Sequence, residues 1–189
     1  AELEEVFDLG GMSKSPAIFD IEKLRYFNAE YIRAMTPEKF AEIAAPWIRI
    51  KVKNPAYDIS KIAALLQQRT EVLSEIPEKV DFFDEIPEYG RALFVHKKSK
   101  SDEASSLEIL REIRAVFEGL EDWNNESLLD AMVKTAEKME CKNAKVMWPV
   151  RIAAAGKAVT PGGSSEICEI LGREETLKRM EKAINLLKS

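Results

Sequence analysis

The chain has 189 residues, 46% of them apolar and 32% charged, a mixture that buries the core of one domain or two small ones and excludes a disordered chain. No apolar run approaches the ~20 residues that cross a bilayer and no signal peptide opens the sequence, so no membrane partner is expected. The net charge of −5 argues against a generic nucleic-acid binder, whose affinity comes from many cations on phosphates, but not against a specific one. Cys141 and Cys168 are too isolated for a disulfide framework, which points to a reducing, cytoplasmic setting. The first residue is Ala1 rather than Met, as in a processed or excised chain.

The periodicity is helical nearly throughout, with no sustained alternation of period two. Asp20 reads as the N-cap of a helix whose Leu24, Phe27 and Tyr31 share a face. Thr36-Pro37 is a start signal, and Phe40, Ile43, Ala44 and Trp47 follow at helical spacing. After the break at Lys53 to Tyr57, Asp58 caps a helix carrying Ile62, Leu65, Leu66 and Leu73, expected to stop before Pro77.

From Asp81 to Ser101 the pattern is poorest, with Phe82, Phe83, Phe94 and Val95 as core pieces on short turns. A long helix over Asp102 to Glu121 shows Leu107, Leu110, Arg114 and Phe117 on one side, and Asn125 is placed to cap the next, striped by Leu128, Leu129, Met132, Val133 and Ala136. Pro149 is expected to open a shorter helix that Gly156 ends in the left-handed conformation. After Thr160-Pro161-Gly162-Gly163, Ser164 or Ser165 caps a helix halting at Gly172, and Leu177, Met180, Ile184 and Leu187 line the last. The fold class is therefore all-α, an array of about nine helices whose least regular joint lies near residues 76–90.

Two arginines sit oddly. Arg69 continues the line of Ile62, Leu65 and Leu66, so its guanidinium must snorkel, pair with an acid or reach a ligand. Arg151 follows Pro149 by two residues, at what reads as a helix N-terminus, where the dipole disfavours a cation. It also lies in a stretch from Cys141 to Ser165 that has no acid but carries Lys142, Lys145 and Lys157, a local reversal of charge that marks a partner surface. His96, before Lys97, Lys98 and Lys100, reads as a solvated loop residue without metal-ligand or nucleophile company. Gly11-Met12-Ser13-Lys14-Ser15 differs at one position from the ATP-contacting Lys-Met-Ser-Lys-Ser loop of class I aminoacyl-tRNA synthetases. With no parallel-strand pattern to supply a nucleotide-binding domain, no ATP site is expected there.

Lys14-Ser15-Pro16-Ala17-Ile18-Phe19-Asp20, Glu22-Lys23-Leu24 and Asn28 resemble the segment that follows the catalytic domain of bacterial glutamyl-tRNA synthetases. Gln68-Arg69, Leu73, Pro77-Glu78-Lys79 and Phe82-Phe83 are similar to that family's first anticodon-binding subdomain. Pro149-Val150-Arg151-Ile152-Ala153, Gly156, Thr160-Pro161, Ile170-Leu171-Gly172 and Leu177-Lys178-Arg179 are similar to its second. The order and spacing of these short motifs over the whole chain carry the resemblance.

The resemblance implies the end of a stem-contact region over 1–35 and two helical anticodon-binding subdomains over 36–80 and 81–189. It implies recognition of the tRNA(Glu) anticodon loop by the C-terminal part of a cytoplasmic ligase that joins glutamate to its tRNA using ATP. The catalytic residues, ATP and Mg2+ would belong to an N-terminal catalytic domain, the second expected partner, so no catalytic site, cofactor or metal is expected in this chain, which is taken as a monomer. By the same resemblance Arg69 accepts the third anticodon base and Arg151 contacts the others. Tyr26, at a position usually held by tryptophan, lies near the RNA, and Asn28, Thr160, Pro161 and Gly162 fall in matching contact regions. Ala155 stands where a threonine is common. The rival from another class is a helical scaffold that binds a protein through its acidic faces and has no tRNA affinity.

Overall fold

A computed structural model describes residues 20–188; the segment 11–15 and the start of the 14–20 motif lie outside them. Among the described residues the chain forms eight α-helices, two short 3₁₀ turns and no strand. The all-α expectation holds, and the last helix is broken once, so the straight helical pieces number about nine as the periodicity implies.

Helix α1 (Ile21–Ala34) starts where Asp20 accepts the amide of Lys23 at 3.1 Å. Its buried residues are Ala29 and Ile32, whereas Leu24 and Phe27 are each 47% exposed and Tyr31 is 73% exposed. The expected core face of α1 therefore points away from the bundle. Polar bonds hold its other side instead. Arg25 pairs with Glu71 and Glu75, Asn28 donates to the Glu71 carbonyl, and the Gln67 amide donates to Ile32 and Met35 carbonyls at 3.1 and 2.9 Å.

Helix α2 (Pro37–Lys51) is capped by Thr36, with Pro37 in its first turn, where a missing N–H costs nothing. Phe40, Ala44 and Ile48 form its buried line, and Ile43 and Trp47 pack at its margin. Asp58 caps α3 (Ile59–Gln67) through the amides of Ser60 and Lys61. This helix ends earlier than its apolar spacing suggests. The Thr70 hydroxyl takes the Leu66 carbonyl at 2.9 Å, a side-chain bond that competes with the helical ladder. The chain then makes a 3₁₀ turn at Leu73–Glu75 and enters α4 (Ile76–Val80), with Pro77 in its first turn. Pro77 opens a helix rather than closing one, for the reason Pro37 does.

Between α4 and the next helix, Phe82, Phe83 and Phe94 are fully buried, while Val95, expected in the core, is 52% exposed. Helix α5 (Glu103–Glu118) begins with a reciprocal Asp102–Ser105 capping box. Helix α6 (Asn125–Lys138) is capped by Asn124, one residue before the expected Asn125, and its Leu129 is exposed. Helix α7 (Asn143–Ala155) starts well upstream of Pro149, which lies buried in its interior, and ends at Gly156 with φ of +65°. A proline mid-helix forfeits one ladder bond, and burial of Val146, Pro149, Val150 and Ala153 offsets that loss.

Helix α8 (Ser164–Lys188) is interrupted at Gly172, φ +77° and ψ 168°, where the sequence places a stop. The Cys168 carbonyl near this break accepts from the Trp123 indole at 2.9 Å and the Thr176 hydroxyl at 3.3 Å, so it is not orphaned. Beyond the break Arg179, 3% exposed, donates to the Phe82, Ala154 and Phe83 carbonyls, each at 2.7 Å, and to Glu175 at 2.8 Å. One side chain thus ties α8 to the end of α7 and to the Phe82-Phe83 pair. The buried apolar cluster is continuous from Ile32 to Leu187. Among the described residues no helix is long and apolar enough to cross a membrane.

Candidate nucleic-acid interface

The turn between α7 and α8 lies against the end of α3. Thr160 folds it by donating from its hydroxyl to the Gly162 carbonyl at 2.7 Å, a local bond suited to a tight turn. Gly162 packs closely on α3: a Cβ there would stand 2.8 Å from a methyl of Leu65, which would have to shift. Glu166, in the first turn of α8, accepts the Gly163 amide at 2.6 Å and fixes the entry to that helix.

Arg69 reaches this turn across 91 residues of sequence, its guanidinium donating to the Thr160 carbonyl at 2.8 Å. Because α3 ends at Gln67, Arg69 is exposed and lies off the apolar stripe that the sequence assigns to it; buried Thr70 sits four residues after Leu66 instead. Lys79 donates to the Arg69 carbonyl at 2.8 Å, while Lys157 holds the Glu78 carbonyl at 3.0 Å and the Asp81 carboxylate. Together Arg69, Glu78, Lys79, Lys157, Val159, Thr160 and Pro161 line a cleft of about 230 Å³. Val159, 83% exposed at its rim, offers apolar surface for a planar group. Nothing in the sequence singled it out.

Arg151 lies in the interior of α7, not at its N-terminus, so the dipole penalty expected of it does not apply. Its Nε is buried without a hydrogen-bond partner. Burial, and then repulsion from the nearby Arg69, lower its pKa. Two guanidinium groups thus lie within electrostatic reach of each other, one of them with a buried Nε that a further acceptor would satisfy. A guanidinium fork there matches acceptor edges or phosphate oxygens.

The structure thus gathers Arg69, Thr160, Pro161 and Gly162 at one place, with Arg151 within electrostatic reach. Tyr26 and Asn28 lie on α1. Tyr26 is 59% exposed with its ring edge against Phe27 at 5.8 Å, while Asn28 is occupied by the Glu71 carbonyl, two residues beyond Arg69. His96 is not the solvated residue expected. It is half-buried, stacked on Trp148 at 3.8 Å and bonded to Ser99. Among the described residues no cluster of three or more His, Cys, Asp or Glu side chains could share a metal ion.

The helical bundle gathers Arg69, Lys79, Lys157 and a glycine-containing turn around a shallow cleft that Glu78 shares, an arrangement whose donors match acceptor atoms. The model of the anticodon binding domain matches residues 39–184, and the chain belongs to that family. It is 48% identical over 183 residues to the glutamate–tRNA ligase of Clostridium tetani, covering 97% of this chain and 37% of that protein. It is 43% identical over 188 residues to the glutamate–tRNA ligase of Clostridium botulinum, covering 39% of it. A crystal structure of a glutamate tRNA ligase from Elizabethkingia meningosepticum, in complex with its amino acid, superposes with a TM-score of 0.77 at 28% identity, over 96% of this chain and 35% of that one. The chain therefore spans well under half the length of the relatives it matches.

Proposed function

We propose that this chain is the anticodon-reading part of a glutamate–tRNA ligase and that the Arg69–Thr160 cleft receives splayed bases of the tRNA(Glu) anticodon loop. The observation that carries this is the Arg151 guanidinium, half-buried beside Arg69 with its Nε unpartnered. Single-stranded RNA loops are read by stacking on aromatic or guanidinium planes and by hydrogen bonds to base edges, and both are on offer here. Arg69 favours cytosine at the third position, because cytosine presents acceptors at O2 and N3 where uracil carries a donor at N3. Thr160, Pro161 and Gly162 shape the floor of the cleft, while Tyr26 and Asn28 on α1 flank the RNA from the stem side.

Ligation of glutamate, with its ATP and Mg2+, belongs in this reading to the additional length of the parent ligase. The exposed apolar face of α1, Leu24, Phe27 and Tyr31, is where that catalytic part docks. The protein then works as a monomer in the cytoplasm, and the division at 36–80 and 81–189 is one of sequence segments that share the continuous core. Binding of glutamate and glutamine anticodon stem-loops to the wild type and to Arg69→Gln tests the reading. The variant should lose its preference by ~1–3 kcal/mol, as for one bidentate base contact. Equal discrimination by both proteins would sink the role of Arg69, and absence of any RNA binding would favour the protein scaffold.

A further inference from the structure

The cleft leaves one cationic feature unused. Residues 90–101 contain no acid and carry Arg91, Lys97, Lys98 and Lys100, and residues 141–165, also free of acids, carry Lys142, Lys145, Arg151 and Lys157. Two contacts bring these stretches together. The His96 ring stacks on Trp148 with planes 9° apart, and the Trp148 indole donates to the Leu93 carbonyl at 2.9 Å. Reciprocal amide–carbonyl bonds between His96 and Ser101, at 3.0 and 3.1 Å, close residues 96–101 into a tight hairpin.

Lys97, Lys98 and Lys100 project from this hairpin exposed, and among the described residues none of their ammonium groups has an ion-pair partner. Lys39, Lys61, Lys79, Lys134, Lys138, Lys157 and Lys178 pair with acids, whereas Lys23, Lys51, Lys53, Lys142, Lys145, Lys182 and Lys188 also form no ion pair among the described residues; what marks the hairpin is three such lysines within four residues. The nearest counter-charges are committed elsewhere. Asp102 caps α5, its carboxyl held below its usual range first by Ser105 and further by Lys145, and Glu103 faces Arg91 at 3.6 Å. Trp148, which anchors the hairpin, lies three residues before Arg151 on the same face of α7, ~5 Å along the helix axis.

We propose that the Lys97–Lys98–Lys100 hairpin is a second RNA contact, gripping the phosphate backbone of the RNA whose bases enter the Arg69–Thr160 cleft. This rests on the reading of the cleft as an anticodon site. Its contribution is independent of sequence. In a protein of net charge −5, a localised cationic patch beside the reading site supplies the attraction that the whole-molecule charge does not. The stack on Trp148 fixes the patch relative to Arg151, so base and backbone contacts are made in one register.

The test is a salt titration of the full chain with a labelled tRNA(Glu) anticodon stem-loop and a loop altered at the third anticodon base. Each lysine–phosphate contact adds roughly 0.7–0.9 to the slope of log affinity against log salt. Replacing all three lysines by alanine should reduce that slope by about 2 to 3 and weaken binding at low salt at least tenfold, with the preference between the two loops unchanged. Replacing them by arginine should restore both slope and affinity. An alanine variant with the wild-type slope overturns the hairpin contact while leaving the cleft reading intact, and one that loses its preference between loops overturns the backbone role. A wild type that binds neither loop removes the reading on which the inference rests.

Discussion

Arg179, buried, and Arg151, half-buried, sit in opposite electrostatic settings. Arg179, at the joint of α7, α8 and the Phe82-Phe83 pair, has three carbonyls and a carboxylate for its donors. Arg151, near the cleft, has an unpartnered Nε and another guanidinium for company. Burying a charge is costly in both cases, but only the first repays it within the protein. Burial alone therefore does not separate a structural cation from a functional one. On the proposed reading, the supply of acceptors does.

Substitution should split the two residues cleanly. Arg179→Met leaves three buried carbonyls without donors and should lower unfolding free energy by about 3–5 kcal/mol in chemical denaturation. A loss under ~1 kcal/mol would mean that the joint is held by apolar packing alone. Arg151→Met should do the reverse, keeping or slightly raising stability while weakening stem-loop binding by ~1–3 kcal/mol. A destabilised Arg151→Met that still binds RNA would erase the contrast. Lys178 supplies the baseline: it shares Glu175 with Arg179, but its side chain is 76% exposed. Lys178→Ala should therefore stay within ~0.5 kcal/mol of the wild type on both measurements.

Much of the fold was legible because its punctuation is local. Asp20, Thr36 and Asp58 cap the helices that follow them, and Gly156 and Gly172 take the positive φ at which helices end or break. What depends on neighbours was not legible. Pro77 does follow the end of α3, though as part of the first turn of α4, whereas Pro149, which also looks like a boundary, is buried in a helix interior. Arg69 continues an apolar spacing that the helix, ending at Gln67, does not follow. The face of α1 has core periodicity, but periodicity names a face and not what lies opposite it. Arg69, Arg151 and the Thr160–Gly162 turn were found one by one from charge anomalies and family resemblance. Their convergence, together with Val159, needed the tertiary structure. Arg179 enters only within the Leu177-Lys178-Arg179 motif, and its burial was not legible because a Glu175–Arg179 pair at i,i+4 reads as an ordinary helix surface.

The bond between Arg69 and the Thr160 carbonyl closes a loop of 91 residues. A partly folded chain that has docked only α2 to α4 holds half a cleft, and one that has docked only α5 to α8 holds the other half. Long-range closures of this kind come late in folding. On the proposed reading, affinity for RNA is a report on completed folding, and RNA that binds only the finished state should raise the temperature at which the whole chain unfolds.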